Sequence, residues 1–222
     1  TINNKKVVYY VVDIHLKDIN CLQSVFAEDK FGIGYKETVL SMAERSNAIL
    51  AINGDYYGLS KYSVVIRNGI VYRDNLDEYD ILVLYYDGTM ETYSPDDFDL
   101  EEAEAKEPYQ VWTFGPSLLD SDGKALTKFS EYGRILYSNP RTSIGYYESG
   151  HYVIIVVDGR SDESSGLTMK ELAKVYEELG CKVAYNLDGG KSSVMTFNGA
   201  VYNIPDNGGR KSSDAIIIKE VN

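Results

Sequence analysis

The chain has few of the residues that form disulfide frameworks, metal centres or histidine-dependent active sites. Its 222 residues include two cysteines, Cys21 and Cys181, which lie far apart and lack the paired spacing of a metal site. We expect both to be buried free thiols, and one long-range disulfide in an exported protein stays open as the alternative. The two histidines, His15 and His151, lie at the ends of predicted strands. A serine hydrolase, which needs a base beside its serine, is therefore a weak interpretation.

A long hydrophobic run and a basic cluster are also missing. No apolar stretch approaches the roughly 20 residues that a membrane-spanning helix needs, so we expect no membrane span. The 34 acidic residues outnumber the 22 lysines and arginines, and the formal net charge is −12. Nucleic-acid binding needs a basic face, so we expect no nucleic-acid partner. The acidic run over residues 96–107 favours a solvated loop or a surface helix.

Short strands dominate what is present. Apolar and β-branched segments bounded by turn residues predict strands over residues 7–15, 49–52 and 152–157. Asn68-Gly69 and Asp87-Gly88 are each flanked by apolar runs, which predicts two β-hairpins that serve as scaffold. The 20 tyrosines fit half-buried strands, and some of them could form carbohydrate-binding surfaces.

The clearest predicted helix runs from Met169 to Leu179. Thr168 and Glu171 form a capping box at its start, and Gly180 suits the left-handed residue at its end. The order strand, helix, strand over residues 152–187 favours a right-handed crossover between two neighbouring parallel strands. We therefore predict an α+β fold with a mixed β-sheet core, packed helices and several β-hairpins. The chain contains no linker, so residues 1–222 are predicted to form a single domain, with residues 1–47 the least certain part.

The segment Tyr185–Met195, Y-N-L-D-G-G-K-S-S-V-M, combines several reactive side chains on one turn. A predicted strand runs into two glycines, and Asp188, Lys191 and Ser192 lie within a few residues of each other. A carboxylate, a cation and hydroxyl groups on such a turn indicate a candidate active site. The G-K-S triplet resembles part of a phosphate-binding loop. That motif needs a glycine at position 185 and a following helix, so we reject nucleotide hydrolysis.

Two other aspartates follow predicted strands. Asn53, Gly54 and Asp55 form a turn, which is either a hairpin turn with an exposed aspartate or a functional loop. Two tyrosines follow directly, which makes the functional loop at least as plausible. Asp158 emerges at the end of the most strand-like segment, where α/β folds usually hold ligands. Together with Asp188 these carboxylates could hydrolyse a glycosidic bond, which needs an acid and a second carboxylate.

Cations near these turns indicate an anionic substrate. Arg141 and Arg160 offer forked donors that suit a phosphate, and Gly189-Gly190 leaves backbone N–H groups free to form an anion-binding nest. Either arginine alone could equally be a surface ion pair. In an acidic protein, several cations beside glycine turns would mark the place where an anion enters.

Seven segments in this order resemble the phosphodiester glycosidase family. They read A-I-N-G-D-Y-Y, F-G-P-S-L-L, P-R-T-S-I-G-Y, V-V-D-G-R, G-L-T-M-K-E-L-A, L-G-C-K-V-A-Y-N-L-D-G-G-K-S-S and S-S-D-A-I-I-I. The resemblance covers about residue 48 to the C-terminus, and the region before it fits more loosely. It implies removal of a sugar, N-acetylglucosamine or a related one, from a sugar-1-phosphodiester. Bacterial members resemble secreted or envelope proteins associated with exopolysaccharide or wall glycans, which implies an extracellular or cell-envelope location.

Carried over motif by motif, the resemblance implies a site made of Asn53, Gly54, Asp55, Arg141, Thr142, Asp158, Gly159, Arg160, Asp188, Gly189, Gly190 and Ser192. The chain departs from the family at Lys191, where a third glycine is usual, and this lysine could clamp phosphate or narrow the pocket. From the residues themselves, our hypothesis is that Asp188 and Asp158 do acid/base or nucleophilic work, with Asp55 a third catalytic candidate. Arg141 and Arg160 would hold phosphate.

Two other functions remain open. The chain could be a non-catalytic module that binds glycans at the cell envelope, or a glycosidase that needs no phosphate. The expected partner in each case is a carbohydrate or a glycosyl phosphate. No cofactor or metal is predicted to be required, although Ca²⁺ could bind the aspartate-rich loops through oxygen ligands.

Overall fold

The computed structural model describes residues 2–129 and 136–221. Within these ranges, fourteen strands and three α-helices form the regular structure. The strands are β1 (Tyr9–His15), β2 (Leu22–Phe26), β3 (Leu50–Asn53), β4 (Ser63–Arg67), β5 (Ile70–Asn75), β6 (Ile81–Tyr85), β7 (Met90–Tyr93), β8 (Pro108–Thr113), β9 (Arg141–Glu148), β10 (His151–Val157), β11 (Val183–Asn186), β12 (Met195–Phe197), β13 (Ala200–Val201) and β14 (Asp214–Ile218). The helices are α1 (Val39–Arg45), α2 (Leu100–Glu104) and α3 (Met169–Leu179).

The strands form three sheets. Sheet I has the order β1-β10-β9-β11, sheet II the order β13-β12-β3-β14-β2, and sheet III the order β5-β4-β8-β6-β7. Every pairing between neighbouring strands of the described residues is antiparallel. The predicted α+β class therefore holds only in its coarse form, because β-sheet outweighs helix.

One hydrophobic core lies between the three sheets. Side chains alternate between the two faces of a strand, so every second residue of each sheet can point inward. Tyr152 and Ile154 of sheet I, Ile52 of sheet II, and Leu82 and Trp112 of sheet III are all buried in this core. Because all three sheets contribute to it, the described residues form a single domain.

Each sheet is covered on its other face by one helix. Leu172 and Tyr176 of α3 pack with Ile155 of sheet I, while Met42 of α1 packs against sheet II and Ala103 of α2 against sheet III. Helix α2 lies within the acidic run over residues 96–107, which confirms the expected surface helix. None of the helices in the described residues is long and apolar enough to span a bilayer. Both cysteines are free thiols; Cys181 is buried as expected, whereas Cys21 is only half-buried.

Residues at the helix ends and in the turns determine where α3 and the β4–β5 hairpin form. Thr168 and Glu171 make both hydrogen bonds of the capping box, and Gly180 ends the helix in the left-handed conformation with φ of 80°. The β4–β5 turn places Asn68 and Gly69 at positive φ, as a tight two-residue hairpin turn requires. These predictions are confirmed.

The predicted parallel neighbours are wrong. Strands β10 and β11 both pair with β9, which lies between them. The reason is that β9 forms a local hairpin with β10 through Ser149 and Gly150, and this hairpin occupies the position beside β10. Strands β10 and β11 still run in the same direction, so Asp158 and Asp188 leave the sheet at the same edge, as expected.

In sheet II, Asn53 at the end of β3 pairs with Ala215 at the start of β14.

Candidate active site

Asp188 is the centre of a polar cluster on the turn after β11. Its carboxylate accepts a hydrogen bond from the Ser192 hydroxyl at 2.5 Å and one from the Arg210 guanidinium at 2.7 Å. Arg210 also donates to the Ser192 hydroxyl at 2.5 Å, so the three side chains form a closed triangle. The Arg210 guanidinium lies 4.6 Å from the centre of the Tyr56 ring, which adds a cation–π contact. Asp188 is buried, whereas the Arg210 side chain is 40% exposed, so the cluster reaches the surface through its cation.

The pKa of Asp188 is raised above its ordinary value. Burial is the largest cause, because it disfavours the charged carboxylate. The positive charge of Arg210 and the hydrogen bonds from Ser192 and Arg210 act in the opposite direction and lower the pKa. Such a carboxyl group can hold or release a proton closer to neutral pH, which acid/base catalysis requires.

Removing the Arg210 charge should raise this pKa further. In Arg210→Gln the lowering influence is lost while burial remains, so Asp188 keeps its proton to higher pH. The limb of the pH–rate profile that reports Asp188 should move to higher pH whether the reaction needs the acid or the carboxylate. The effect of the Arg210 charge on this pKa is weakened, because solvent screens the partly exposed guanidinium.

The matched control for this shift is Lys211→Gln, which removes an exposed cation from the next residue along the chain. Its pH–rate profile should coincide with that of the wild type. An Arg210→Gln profile with no shifted limb, or one shifted to lower pH, would contradict control of Asp188 by Arg210.

Asn53 and Thr142 hold the backbone of the Asp188 turn. The Asn53 amide donates to the Asp188 carbonyl oxygen at 2.7 Å, and its own carbonyl oxygen accepts from the Thr142 hydroxyl at 2.8 Å. Both side chains are buried. The two predicted site residues therefore connect the end of β3 and the start of β9 to the Asp188 turn, and they position Asp188.

At two positions in this region, neighbouring groups approach the backbone so closely that only glycine fits. A Cβ on Gly189 would lie 2.9 Å from the Pro140 carbonyl oxygen, which is too close for any side chain. A Cβ on Gly54 would overlap the carboxylate of Asp214. These predicted site residues therefore act through the space they leave for neighbouring groups.

The two predicted phosphate-binding arginines differ in exposure. The Arg160 side chain is 42% exposed, donates to the Asn139 side chain and pairs with Asp206 at 2.8 Å. It lies beside Gly190, where an added Cβ would be 3.1 Å from its guanidinium. Arg141 is buried, donates to the carbonyl oxygens of Leu167 and Tyr137, and has a pKa lowered to about 10, chiefly by burial. Arg160 thus lies at the surface of the site, whereas Arg141 lies beneath it.

Asp158 lies at the same edge of sheet I but has different partners. Its carboxylate accepts hydrogen bonds from the Asn203 amide at 2.9 Å and from the Ile204 backbone N–H at 3.1 Å. Asn203 also donates to the Ser193 carbonyl oxygen at 3.0 Å. Asp158 therefore connects the end of β10 to the segment that follows the Asp188 turn.

Asp55 belongs to a separate, fully buried ion cluster. The Arg67 guanidinium lies 2.8 Å from the Asp55 carboxylate and 2.9 Å from the Asp214 carboxylate. The second Asp55 oxygen accepts the backbone N–H of Thr113 at 3.0 Å. Burial raises the pKa of Asp214, and the neighbouring Arg67 opposes this rise. Asp55 is therefore neither an exposed turn residue nor a member of the Asp188 cluster, and the buried Arg67 cluster supports the loop that carries Tyr56.

Several residues of the site are absent from the sequence prediction: Tyr56, Arg67, Asn203, Arg210 and Asp214. Arg210 shortly precedes β14 and Asp214 is its first residue, so both lie at the start of a buried strand, whereas Asp158 and Asp188 follow strand ends. That pattern could have identified them, and the motif S-S-D-A-I-I-I includes Asp214. Arg67 gives no comparable signal, because it ends a strand of an ordinary hairpin.

An aromatic cleft adjoins the cluster. It has a volume of about 330 Å³ and is lined by the rings of Tyr56, Tyr57, Tyr62, Tyr79 and Phe114, among others. Tyr56 lines this cleft and also contacts Arg210, so it connects the cleft to the Asp188 triangle. Aromatic walls with a few polar groups are typical of small-ligand sites, and tyrosine suits sugar rings in particular.

Known structures share this fold. The chain superposes on the catalytic domain of zebrafish N-acetylglucosamine-1-phosphodiester alpha-N-acetylglucosaminidase, auto-inhibited by its pro-peptide, with a TM-score of 0.76 and 20% identity, covering 100% of this chain and 86% of the other. A hypothetical protein from Synechocystis matches with a TM-score of 0.66 and 14% identity. The match covers 98% of this chain and 60% of the other. A presumed exported protein from Burkholderia pseudomallei K96243 matches with a TM-score of 0.64 and 14% identity. The match covers 96% of this chain and 74% of the other.

Sequence comparison gives the family. A curated relative, the SPbeta prophage-derived uncharacterized protein YomE of Bacillus subtilis (strain 168), is 32% identical over 200 residues, which are 85% of this chain. The chain spans only 30% of that relative's length. The family model described as phosphodiester glycosidase matches residues 46–219. Because this match covers most of the chain, the protein belongs to the phosphodiester glycosidase family.

Proposed function

We propose that the protein hydrolyses the glycosidic bond of a sugar-1-phosphodiester, with N-acetylglucosamine or a related sugar as the glycosyl group. The observation that carries this proposal is the Asp188 carboxylate, which is buried, raised in pKa and bonded to Ser192 and Arg210. This arrangement supplies a proton-transferring or nucleophilic group beside a cation. Glycoside hydrolysis needs the proton-transferring or nucleophilic group, and a phosphodiester substrate explains the neighbouring cation.

Cations surround the Asp188 triangle although the protein is strongly acidic. Arg210 contacts Asp188 directly, and Arg160 lies beside Gly190. The Lys36 ammonium lies 5.7 Å from the centre of the Tyr56 ring, and the Arg210 guanidinium contacts the same ring. The Lys191 side chain is exposed on the turn itself. In this proposal Arg210, Arg160 and Lys191 bind the phosphodiester, because guanidinium and ammonium donors suit its oxygens.

Two carboxylates and the aromatic cleft complete the proposed site. Asp188 and Asp158 leave sheet I at one end and supply the acid/base or nucleophilic groups, whereas Asp55 belongs to the separate buried ion cluster. The sugar ring would stack in the cleft beside Tyr56, where tyrosine faces offer the flat apolar surface that sugars bind.

An extracellular or cell-envelope setting belongs to the same proposal. A phosphodiester-linked glycan of an exopolysaccharide or cell envelope would present the substrate there. One observation supports this location: a structural neighbour is a presumed exported protein.

Release of free sugar tests the proposal. Wild-type protein should release N-acetylglucosamine from UDP-N-acetylglucosamine or a simple N-acetylglucosamine-1-phosphodiester, and not from an aryl N-acetylglucosaminide. Arg160→Gln should lower kcat/KM for the phosphodiester by about 10–100-fold, because a hydrogen bond to a charged group contributes about 1.5–3 kcal/mol. Lys182→Gln, an exposed cation at the opposite end of β11, should leave kcat/KM unchanged.

Other outcomes would replace the proposal. Release from the aryl glycoside alone would assign ordinary glycosidase chemistry without a phosphate requirement. No release from either substrate, together with retained binding of envelope glycans, would assign a non-catalytic glycan-binding module.

A further inference from the structure

A second cluster of reactive side chains lies at the other end of sheet I. Asp13 and His15 are two residues apart on β1, so both side chains point to the same face of the sheet. His15 pairs directly with His151, the first residue of β10. The chain has two histidines in total, and antiparallel pairing brings both to one place beside a carboxylate.

The donor atoms of these side chains converge. Nε2 of His151 lies 2.7 Å from Oδ1 of Asp13, and Nε2 of His15 lies 3.3 Å from Oδ2 of Asp13. One ligand atom from each of the three residues lies within 4.8 Å of the others. A tetrahedral Zn²⁺ ion bound at about 2.0–2.2 Å by each ligand would place the ligand atoms roughly 3.3–3.6 Å apart. The 3.3 Å separation matches this spacing, whereas the 2.7 Å hydrogen bond between His151 and Asp13 is shorter and would open when one ion replaces its proton.

The imidazole rings are held in place by stacking. The rings of His15 and His151 are 4.0 Å apart between centroids and nearly parallel, at 23°. The Tyr147 ring packs against His151 with centroids 4.3 Å apart. The His15 side chain is 69% exposed and that of Asp13 60%, so an ion can reach the cluster from solvent. Because the stacked rings are nearly parallel, their nitrogen lone pairs lie in neighbouring planes, so the exposed His15 ring would rotate toward the ion on binding.

We propose that Asp13, His15 and His151 bind a divalent transition-metal ion, with Zn²⁺ the best match. Two imidazole nitrogens and one carboxylate oxygen are a ligand set that suits Zn²⁺, whereas Mg²⁺ and Ca²⁺ prefer sites made of oxygen ligands. Three protein ligands leave one tetrahedral position for water.

This site is distinct from the candidate active site. His151 begins β10 and Asp158 follows its end, so the seven residues of β10 separate them by roughly 23 Å at about 3.3 Å per residue. The ion would link β1, an edge strand, to β10, its partner in sheet I. Its expected effect is therefore on the stability of the folded chain, with no effect on hydrolysis at Asp188.

Calorimetric titration and thermal unfolding of chelator-treated protein test the proposal, with ZnCl₂ as the probe and MgCl₂ as the comparison cation. We expect one equivalent of Zn²⁺ to bind. At a Zn²⁺ concentration about 100 times the Kd, Tm should rise by roughly 5–10 °C. Mg²⁺ should produce neither effect.

Single variants assign the ligands. His15→Gln, His151→Gln and Asp13→Asn should each weaken Zn²⁺ binding by more than the roughly 10-fold that loss of an outer-shell partner costs. Asp162→Asn, a change of the same kind at an exposed position, should bind like the wild type. The three ligand residues are on the surface or half-exposed, so metal-free melting curves of the variants should match the wild type. Absence of Zn²⁺ binding, equal stabilisation by Mg²⁺, or undiminished binding in a His15→Gln/His151→Gln double variant would overturn the proposal.

Discussion

Asp188→Asn should reduce kcat for sugar release by about 10²–10⁴-fold, the range that a positioned acid or base contributes. The amide is nearly isosteric with the carboxylate and can still accept hydrogen bonds from Ser192 and Arg210. It cannot give or take a proton in the relevant pH range, and it cannot attack an anomeric carbon. The measurement is initial-rate release of N-acetylglucosamine from the phosphodiester at saturating substrate.

Two further variants separate chemistry from folding. Asp74→Asn makes the same change at an exposed position on β5 and should keep wild-type kcat. Ser192→Ala removes one of the two side-chain hydrogen bonds to the Asp188 carboxylate and should have a smaller effect than Asp188→Asn. Full activity in Asp188→Asn, with an unchanged melting curve, would remove Asp188 from the mechanism.

Arg67→Met should lower the free energy of unfolding by about 3–5 kcal/mol, the cost of breaking a buried ion pair by removing one partner. Arg67 is 1% exposed and lies between Asp55 and Asp214, whose side chains are completely buried. Methionine fills much of the volume and leaves two carboxylates without their cation. Urea unfolding at pH 7 measures the loss.

The pH dependence gives this variant a second signature. Burial already raises the pKa of Asp214, and loss of Arg67 should raise it further above its unfolded value. A carboxyl group whose folded pKa is raised contributes stability that is present at low pH and is lost as pH rises through the folded pKa. Because the pKa of Asp214 is about 7 with Arg67 present and higher without it, the deficit of Arg67→Met should shrink as pH falls from the alkaline range toward 7.

Neutralising the carboxylates provides the matched test. The triple variant Arg67→Met/Asp55→Asn/Asp214→Asn no longer buries an uncompensated charge and should regain part of the lost stability. If Arg67→Met unfolds within about 1 kcal/mol of the wild type, or if the triple variant is less stable than Arg67→Met, the ion cluster does not stabilise the fold as argued.

Elements fixed by near neighbours in the sequence were predictable. Thr168 and Glu171 define the start of α3 within four residues, and Gly180 defines its end. The turn at Asn68 and Gly69 likewise depends only on the backbone freedom of two residues. Such signals need no knowledge of distant partners, so sequence reasoning located these elements.

Strand order and ion pairing could not be predicted in the same way. Periodicity identifies β10 and β11 as buried strands, but it does not say that β9 lies between them. Arg67 reads as an ordinary hairpin residue because its partner Asp214 is 147 positions away in the chain. Arg210 is separated from Asp188 by 22 residues and two short strands. Long-range pairings of this kind are determined by the packing of whole sheets.

The position of β14 bears on how the protein is synthesised. This strand follows the other thirteen strands of the described residues, yet it lies inside sheet II and pairs with both β3 and β2. During translation, β2 and β3 emerge from the ribosome long before β14, which joins them. Until β14 is available, the strand edges that pair with it keep unpaired backbone N–H and C=O groups. Arg210 and Asp214 arrive with β14, so the ion cluster and the Asp188 triangle are completed in the same late step. The ion cluster and the Asp188 triangle therefore cannot form in a nascent chain before β14 has been made.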